Sequence, residues 1–189
     1  MVDTLSKPAW RAALLASRDS VPPDIRLAEA SSLARWVSTL SGTVCAYRPV
    51  GSEPGSTLLL TALLDAGCRV LLPIVVRRAP LDWAVYDGPS CLVPAAFGLL
   101  EPVGPRLGTS AFLTADTVLV PALAVDRAGV RIGQGGGYYD RSLALAGAGG
   151  PRRVAVVRDE ELVSALPREP HDVLMTAALT PTAGFTPLG

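Results

Sequence analysis

Lysine is almost missing from this chain. Of its 17 basic residues, all but Lys7 are arginine, and His171 is the sole histidine. A residue type present once is easy to test, because one substitution removes a whole chemistry. Neither sign of charge is in excess, since 17 acidic residues balance the 17 basic ones. That excludes bulk attraction to nucleic acid or to an anionic membrane. The three cysteines, Cys45, Cys68 and Cys91, are scattered. They make no Cys-x-x-Cys pair and no even-numbered framework, so they read as reduced thiols of a cytoplasmic protein. No uncharged apolar run reaches the roughly 18 residues that a membrane helix needs, and the first ten residues show no secretory leader pattern.

What is present is a globular composition. Hydrophobic residues make up 49% of 189, which fits a single domain over residues 1–189 with a core of its own. The expected order begins with two helices. Ser6 caps the first, with Pro8 in its first turn and Trp10, Leu14 and Leu15 on one face. The second starts near Pro23 and places Ile25, Ala28, Leu33, Trp36, Val37 and Leu40 on a helical period before Gly42. Alternation follows: strands over 43–47, 69–72 (ended by Pro73), 82–86, 117–120 and 153–157, and helices over 56–66 and 138–146. The stretch 89–109, rich in Pro and Gly, shows weak periodicity. Strands alternating with helices predict an α/β fold of three layers, α/β/α, with a mostly parallel central sheet.

The most informative segment runs from Val120 to Arg141. Gly133, Gly135, Gly136 and Gly137 lie between a buried strand and a helix. Glycine lets a ligand approach the main chain, whose N–H groups then face an anion. Arg131 can add a charge-assisted contact to phosphate. The glycines alone could equally form a surface turn. Tyr138 stands where a dinucleotide fingerprint needs its third glycine, and no Gly-Lys-Ser/Thr follows, so neither a dehydrogenase loop nor a P-loop is complete. Tyr138 and Tyr139 could cover a planar heterocycle. Asp140 is either an oxygen ligand for magnesium or a first-turn helix acid.

Arg-Ile-Gly-Gln-Gly-Gly-Gly-Tyr-Tyr-Asp-Arg, residues 131–141, resembles the signature of 5-formyltetrahydrofolate cyclo-ligases. Lys7 and Arg11 are similar to that family's N-terminal ATP-contacting pair. Glu53 is similar to its folate-contacting Glu. Residues 97–102 (Phe-Gly-Leu-Leu-Glu-Pro) and 166–172 (Leu-Pro-Arg-Glu-Pro-His-Asp) resemble a mid-chain and a C-terminal element. The pattern is departed from in two ways. Gln134 replaces a common Arg or Lys, and Thr176 and Thr180-Pro181 stand where further acids are frequent.

The resemblance implies a fold shared with sugar-phosphate isomerases and coenzyme A transferases. It implies ATP-dependent closure of 5-formyltetrahydrofolate, in polyglutamylated form as well, to 5,10-methenyltetrahydrofolate by a monomer. Lys7, Arg131 and Tyr138 would be catalytic. ATP would meet Lys7, Arg11, Arg131, Gly133, Gln134, Gly135, Gly136, Gly137, Tyr138 and Tyr139. Folate would meet Glu53, Gln134 and Tyr138, and Asp140 and Asp172 would hold Mg2+. His171 is expected to be structural. No acid–base residue is obviously demanded, because the activated oxygen leaves as phosphate. The rival reading is a non-catalytic nucleotide- or folate-binding protein on the same scaffold, motivated by Gln134.

Overall fold

The computed structural model describes residues 5–189, apart from the side chains of Phe97 and Ala148. Met1–Thr4, part of the stretch read for a leader, lie outside the described residues. Helix α1 (Lys7–Asp19) starts where Ser6 Oγ accepts the Ala9 N–H, and Pro8 sits in its first turn. Helix α2 (Pro23–Val37) follows, then strand β1 (Thr43–Cys45), α3 (Thr57–Asp65), β2 (Arg69–Ile74), β3 (Asp82–Tyr86), β4 (Leu92–Pro94) and β5 (Leu100–Pro102). The second half holds β6 (Thr117–Pro121), β7 (Ala124–Asp126), β8 (Arg131–Ile132), α4 (Tyr138–Leu143), β9 (Arg152–Val156), β10 (Leu162–Val163), β11 (Ala177–Thr180) and β12 (Gly184–Pro187).

Seven strands form the central sheet in the order β12-β11-β9-β6-β1-β2-β3. The inner pairings are parallel, and both edge strands, β3 and β12, run antiparallel to their neighbours. From β1 the chain first builds outward through β2 and β3, then returns to the other side of β1 with β6. The order therefore reverses between β1 and β6, and such a switch point leaves a crevice beyond the strands' carboxyl ends.

Each inner strand is buried on both faces, which accounts for its unbroken apolar run. Val44, Val70, Leu72, Leu119, Val154 and Val156 pack against Leu33 and Val37 of α2 and Leu59, Leu60 and Leu63 of α3. Their alternates Cys45, Leu71, Val118, Val120, Ala155 and Val157 meet Trp83, Phe112, Leu143 of α4 and Met175 on the opposite face. Helix α1 covers neither face. Its Trp10, Leu14 and Leu15 pack on a separate three-stranded sheet, β10-β7-β8, through Leu123, Ala124, Val130 and Ile132.

Several sequence expectations shift. Pro73 does not end its strand. The β1 ladder stops at Leu71, so Pro73 lies where β2 overhangs β1 and pairs only with Trp83 on β3. Strand 43–47 is assigned only to Cys45, and the helix from Tyr138 gives way to 3-10 turns after Leu143. On α2, Ile25 (47%) and Trp36 (37%) are exposed, as is Ala28. The inward stripe is Arg26, Glu29, Ala30, Leu33 and Val37 instead. An apolar period could not find it, because Arg26 and Glu29 face inward to protein partners: the Arg18 and Val21 carbonyls, and the Arg158 guanidinium. The stretch 89–109 carries the β4–β5 hairpin between 3-10 turns, too short to show a period.

Gly129, in the turn between β7 and β8, has φ +86°, and a Cβ there would lie 2.3 Å from the Met175 carbonyl oxygen. Gly129→Ala is expected to lower stability by about 2 kcal/mol or more, from left-handed strain and the backbone clash together. A urea titration checks it, with the midpoint falling and the slope unchanged.

Candidate active site

A cavity of ≈ 680 Å³ opens at the switch point. Tyr47 beyond β1, Pro73 of β2, and Pro121 and Ala122 at the end of β6 form its floor. Leu99, Leu100 and Glu101, from the hairpin that gave no periodic signal, add a wall. Every residue expected to bind ligand from sequence lines this one cavity: Lys7, Arg11, Glu53, Arg131, Gly133, Gln134, Gly135, Gly136, Gly137, Tyr138, Tyr139, Asp140 and Asp172.

Helix α1 lies along the cavity. Lys7, Arg11 and Arg18 all line it, and a 3.6-residue period puts positions 0, 4 and 11 within about 40° of one another. With ~1.5 Å of rise per residue, Lys7 and Arg18 stand on the order of 16 Å apart. Lys7 Nζ donates to both oxygens of Asp172 (2.7 and 2.8 Å) and to Glu169 Oε2 (2.9 Å). Burial opposes the Lys7 charge, but the hydrogen bonds to Asp172 and Glu169 outweigh it and hold the ammonium pKa above the ordinary lysine value. Asp172 responds in the opposite sense. Its burial is overcome by Lys7 and the Glu169 N–H, and its carboxyl sits below the ordinary aspartate range.

The glycine loop is tied to α1 by Arg11, whose Nε donates to the Gly133 carbonyl at 2.9 Å. Gly135 has φ +100°, with the Arg11 guanidinium 3.7 Å from where its Cβ would be. Arg131, on β8, is 7% exposed. Its Nη2 donates to Asp140 Oδ1 at 2.6 Å, while its buried Nε has no partner among the described residues. Tyr139 lines the cavity, and its hydroxyl is also buried without a partner among the described residues. Burial pushes that phenol far above its ordinary value. The Tyr138 ring lies under the Arg141 guanidinium, 4.9 Å from its centroid. Gln134 is exposed at the cavity rim.

Glu53 follows a turn beyond β1. Its Oε2 accepts the Val50 N–H at 3.0 Å. Burial raises its carboxyl above the ordinary glutamate value, and the Val50 N–H and the Arg18 charge offset this only in part.

Two ion pairs join groups that were expected to serve different ligands. Lys7 and Arg131, read as phosphate cations, hold Asp172 and Asp140, read as metal ligands. Carboxylate oxygen suits a hard divalent cation, and Asp140 Oδ2 has no partner among the described residues, whereas both oxygens of Asp172 are bonded to Lys7. Ligand atoms of Glu169, His171 and Asp172 lie within 4.8 Å of one another, a grouping that does not include Asp140. His171 is 73% exposed at its side chain and sits 3.3 Å from Glu169, as a turn partner would.

Sequence reasoning missed Glu169, although it lay inside a quoted motif, and Glu101, which accepts the Val75 N–H at 2.8 Å. It also missed Arg18, which nothing in the sequence sets apart from the other arginines. That guanidinium is 1% exposed and grips Glu161 through two bonds of 2.6 and 2.7 Å.

A mostly parallel α/β sheet with a cavity lined by cations and glycines at its switch point defines the class of fold. The particular family is shown by comparison: the sequence model of the 5-formyltetrahydrofolate cyclo-ligase family matches residues 3–181, and the chain belongs to that family, a family of ligases. A 5-formyltetrahydrofolate cyclo-ligase of Mycolicibacterium smegmatis is 52% identical over 191 residues, with 97% of each chain covered. One from Escherichia coli K12 is 30% identical over 145 residues, covering 76% of this chain and 80% of its own. Among solved structures, Aquifex aeolicus 5,10-methenyltetrahydrofolate synthetase superposes with a TM-score of 0.82 at 27% identity, over 97% of this chain and 93% of that one. The Mycoplasma pneumoniae synthetase superposes with a TM-score of 0.71 at 16% identity, a likeness of fold alone.

Proposed function

We propose that this protein uses ATP to close 5-formyltetrahydrofolate into 5,10-methenyltetrahydrofolate, releasing ADP and phosphate. The observation that carries this reading is the convergence of Lys7, Arg11, Arg131 and the glycine loop in one cavity with Glu53 and an apolar wall. A formamide oxygen leaves poorly, because the nitrogen lone pair delocalises into the carbonyl. Transfer of the γ-phosphoryl group to that oxygen makes it a leaving group, and in such a transfer the protein supplies position and charge.

Lys7, Arg11 and Arg131 would hold the phosphates, with the N–H groups of Gly133–Gly137 facing the developing charge. Asp140 and Asp172 would hold magnesium, whose charge neutralises phosphate oxygens. Both acids already sit beside those cations. Arrival of a magnesium nucleotide would exchange each internal ion pair for one contact to phosphate and one to metal, so no charge is left unmatched. Tyr138 and Glu53 would orient the pterin and formyl end, and Gln134 would add a neutral hydrogen bond at the rim.

A cytoplasmic monomer completes the proposal. The cysteines are free and buried, no helix among the described residues is long and apolar enough to cross a membrane, and a single chain supplies every residue named around the cavity. The test is absorbance at the methenyl-folate band, with protein, 5-formyltetrahydrofolate and magnesium, before and after ATP. Growth that requires ATP is expected. A flat trace from folded protein that still binds ATP or folate would favour the non-catalytic reading.

A further inference from the structure

Ring closure has a proton to dispose of. N10 of 5-formyltetrahydrofolate carries a hydrogen, and the methenyl product has none there. As the N10–carbon bond forms, the N10–H bond and the bond from the formyl carbon to the phosphorylated oxygen must both break. Phosphate takes the electron pair of the second bond. Something must take the proton, so the departure of oxygen as phosphate does not by itself make a base unnecessary.

Most acids around the cavity are committed elsewhere. Asp140 holds the Arg131 guanidinium at 2.6 Å, and Asp172 gives both oxygens to Lys7. Glu169 is half exposed and shares the Lys7 ammonium, with His171 beyond it. Glu101 and Glu53 are the cavity carboxyls without an ion-pair partner among the described residues. Glu101 belongs to the β4–β5 hairpin, where its Oε1 fixes the Val75 N–H. Glu53 uses only Oε2, on Val50. Its Oε1 has no protein partner among the described residues and is not a sealed atom, and the residue lines the cavity.

We propose that Glu53 is the general base of ring closure, its free oxygen taking the N10 proton as N10 bonds to the activated formyl carbon and phosphate departs. This rests on the cyclo-ligase reading. The charged and titratable groups that face Glu53 are Arg18 from α1, Arg26 from α2, Tyr47 beyond β1, Tyr139 from α4, and Arg158 after β9. Arg26 is bonded to the Arg18 and Val21 carbonyls. Arg18 is neutralised by Glu161, and Arg158 by Glu29 and Glu161. Both phenols have raised pKa values, chiefly from burial. Burial raises the Glu53 carboxyl above the ordinary glutamate value, and a carboxylate with raised proton affinity is the stronger base.

The test follows ADP and methenyl product together, across pH, in wild type and Glu53→Gln. The wild type should lose rate as pH falls through a value above that of an ordinary glutamate. In Glu53→Gln, product turnover should drop by about 10²–10⁴-fold, with the ATP KM nearly unchanged and the acid limb gone. ADP should then exceed product, because water cleaves the activated formyl group back to 5-formyl folate and phosphate. Formate added to Glu53→Ala should restore part of the rate.

The variant should fold. A carboxyl whose folded pKa is raised binds more protons folded than unfolded, so it costs stability as pH rises above its unfolded value, and glutamine removes that cost at neutral pH. Should it nevertheless fail to fold, Glu53→Asp decides, by whether it displaces the wild-type acid limb. Equal yields of ADP and product with only the folate KM raised, or an unmoved acid limb, would overturn the base and leave Glu53 a binding group. A wild type with no ATP-dependent product would instead overturn the cyclo-ligase reading itself.

Discussion

Lys7→Ala is expected to lower ATP-dependent ring closure by at least about a hundredfold, the scale on which removing one preorganised charge contact acts in transfer chemistry. No second lysine exists to substitute. The nearest cation on the same helix face is Arg11, and its Nε is engaged by Gly133. The substitution also releases Asp172, which loses the ammonium bonded to both its oxygens. The Asp172 pKa should then rise toward the ordinary aspartate value. Its contribution to stability, present above the unfolded pKa and lost as pH falls through the depressed folded one, should diminish. Lys7→Arg should recover only part of the rate, since a planar fork does not reproduce a point charge on a flexible stem. Initial rates at the methenyl-folate band, with ATP varied, measure all of this. A Lys7→Ala enzyme within fivefold of wild type would remove Lys7 from the chemistry.

The largest expected stability effect lies away from the phosphates. Glu161 is 3% exposed and serves two guanidiniums, Arg18 at 1% and Arg158 at 2%. Its Oε2 also accepts the Arg158 N–H at 2.8 Å. Glu161→Ala leaves Arg18 with the Ala122 carbonyl and Arg158 with Glu29 and the Ser52 carbonyl. Breaking a buried pair in this way costs about 3–5 kcal/mol, or a melting temperature lower by roughly 6–20 °C at ~2–4 °C per kcal/mol for this size. Differential scanning calorimetry checks it, and a loss under 1 kcal/mol would mean that the network is not held as described. Activity should fall as well, because the bond from Arg18 to Glu161 docks the helix that carries Lys7 and Arg11.

The sheet was legible because its inner strands are buried twice over, and a run such as Thr117–Val120 has no polar face to confuse. The cavity was legible for a different reason. Its ligand-facing residues cluster in one glycine-rich segment and at one helix N-terminus, where side-chain chemistry is unusual enough to stand out. What the sequence hid was polar burial. Arg18, Arg26, Glu29, Arg158 and Glu161 look like ordinary surface charges, and only long-range pairing turns them inward. The β4–β5 hairpin and the small β10-β7-β8 sheet were hidden by length, since strands of two or three residues carry no measurable period.

The first helix is held by residues that are made long after it. Lys7 bonds to positions 162 and 165 residues further along, and Arg18 to one 143 further. On a translating ribosome this helix therefore emerges with its face uncovered. It must wait for those later residues, on the order of 10 s at typical elongation rates. The sheet around β1, β2 and β6 can form while the chain is still attached, but Lys7 reaches its place only after Glu169 and Asp172 have left the exit tunnel. A nascent chain stalled before Glu161 would contain much of the core but none of the partners that seat the first helix, so the cavity is completed only after they are made.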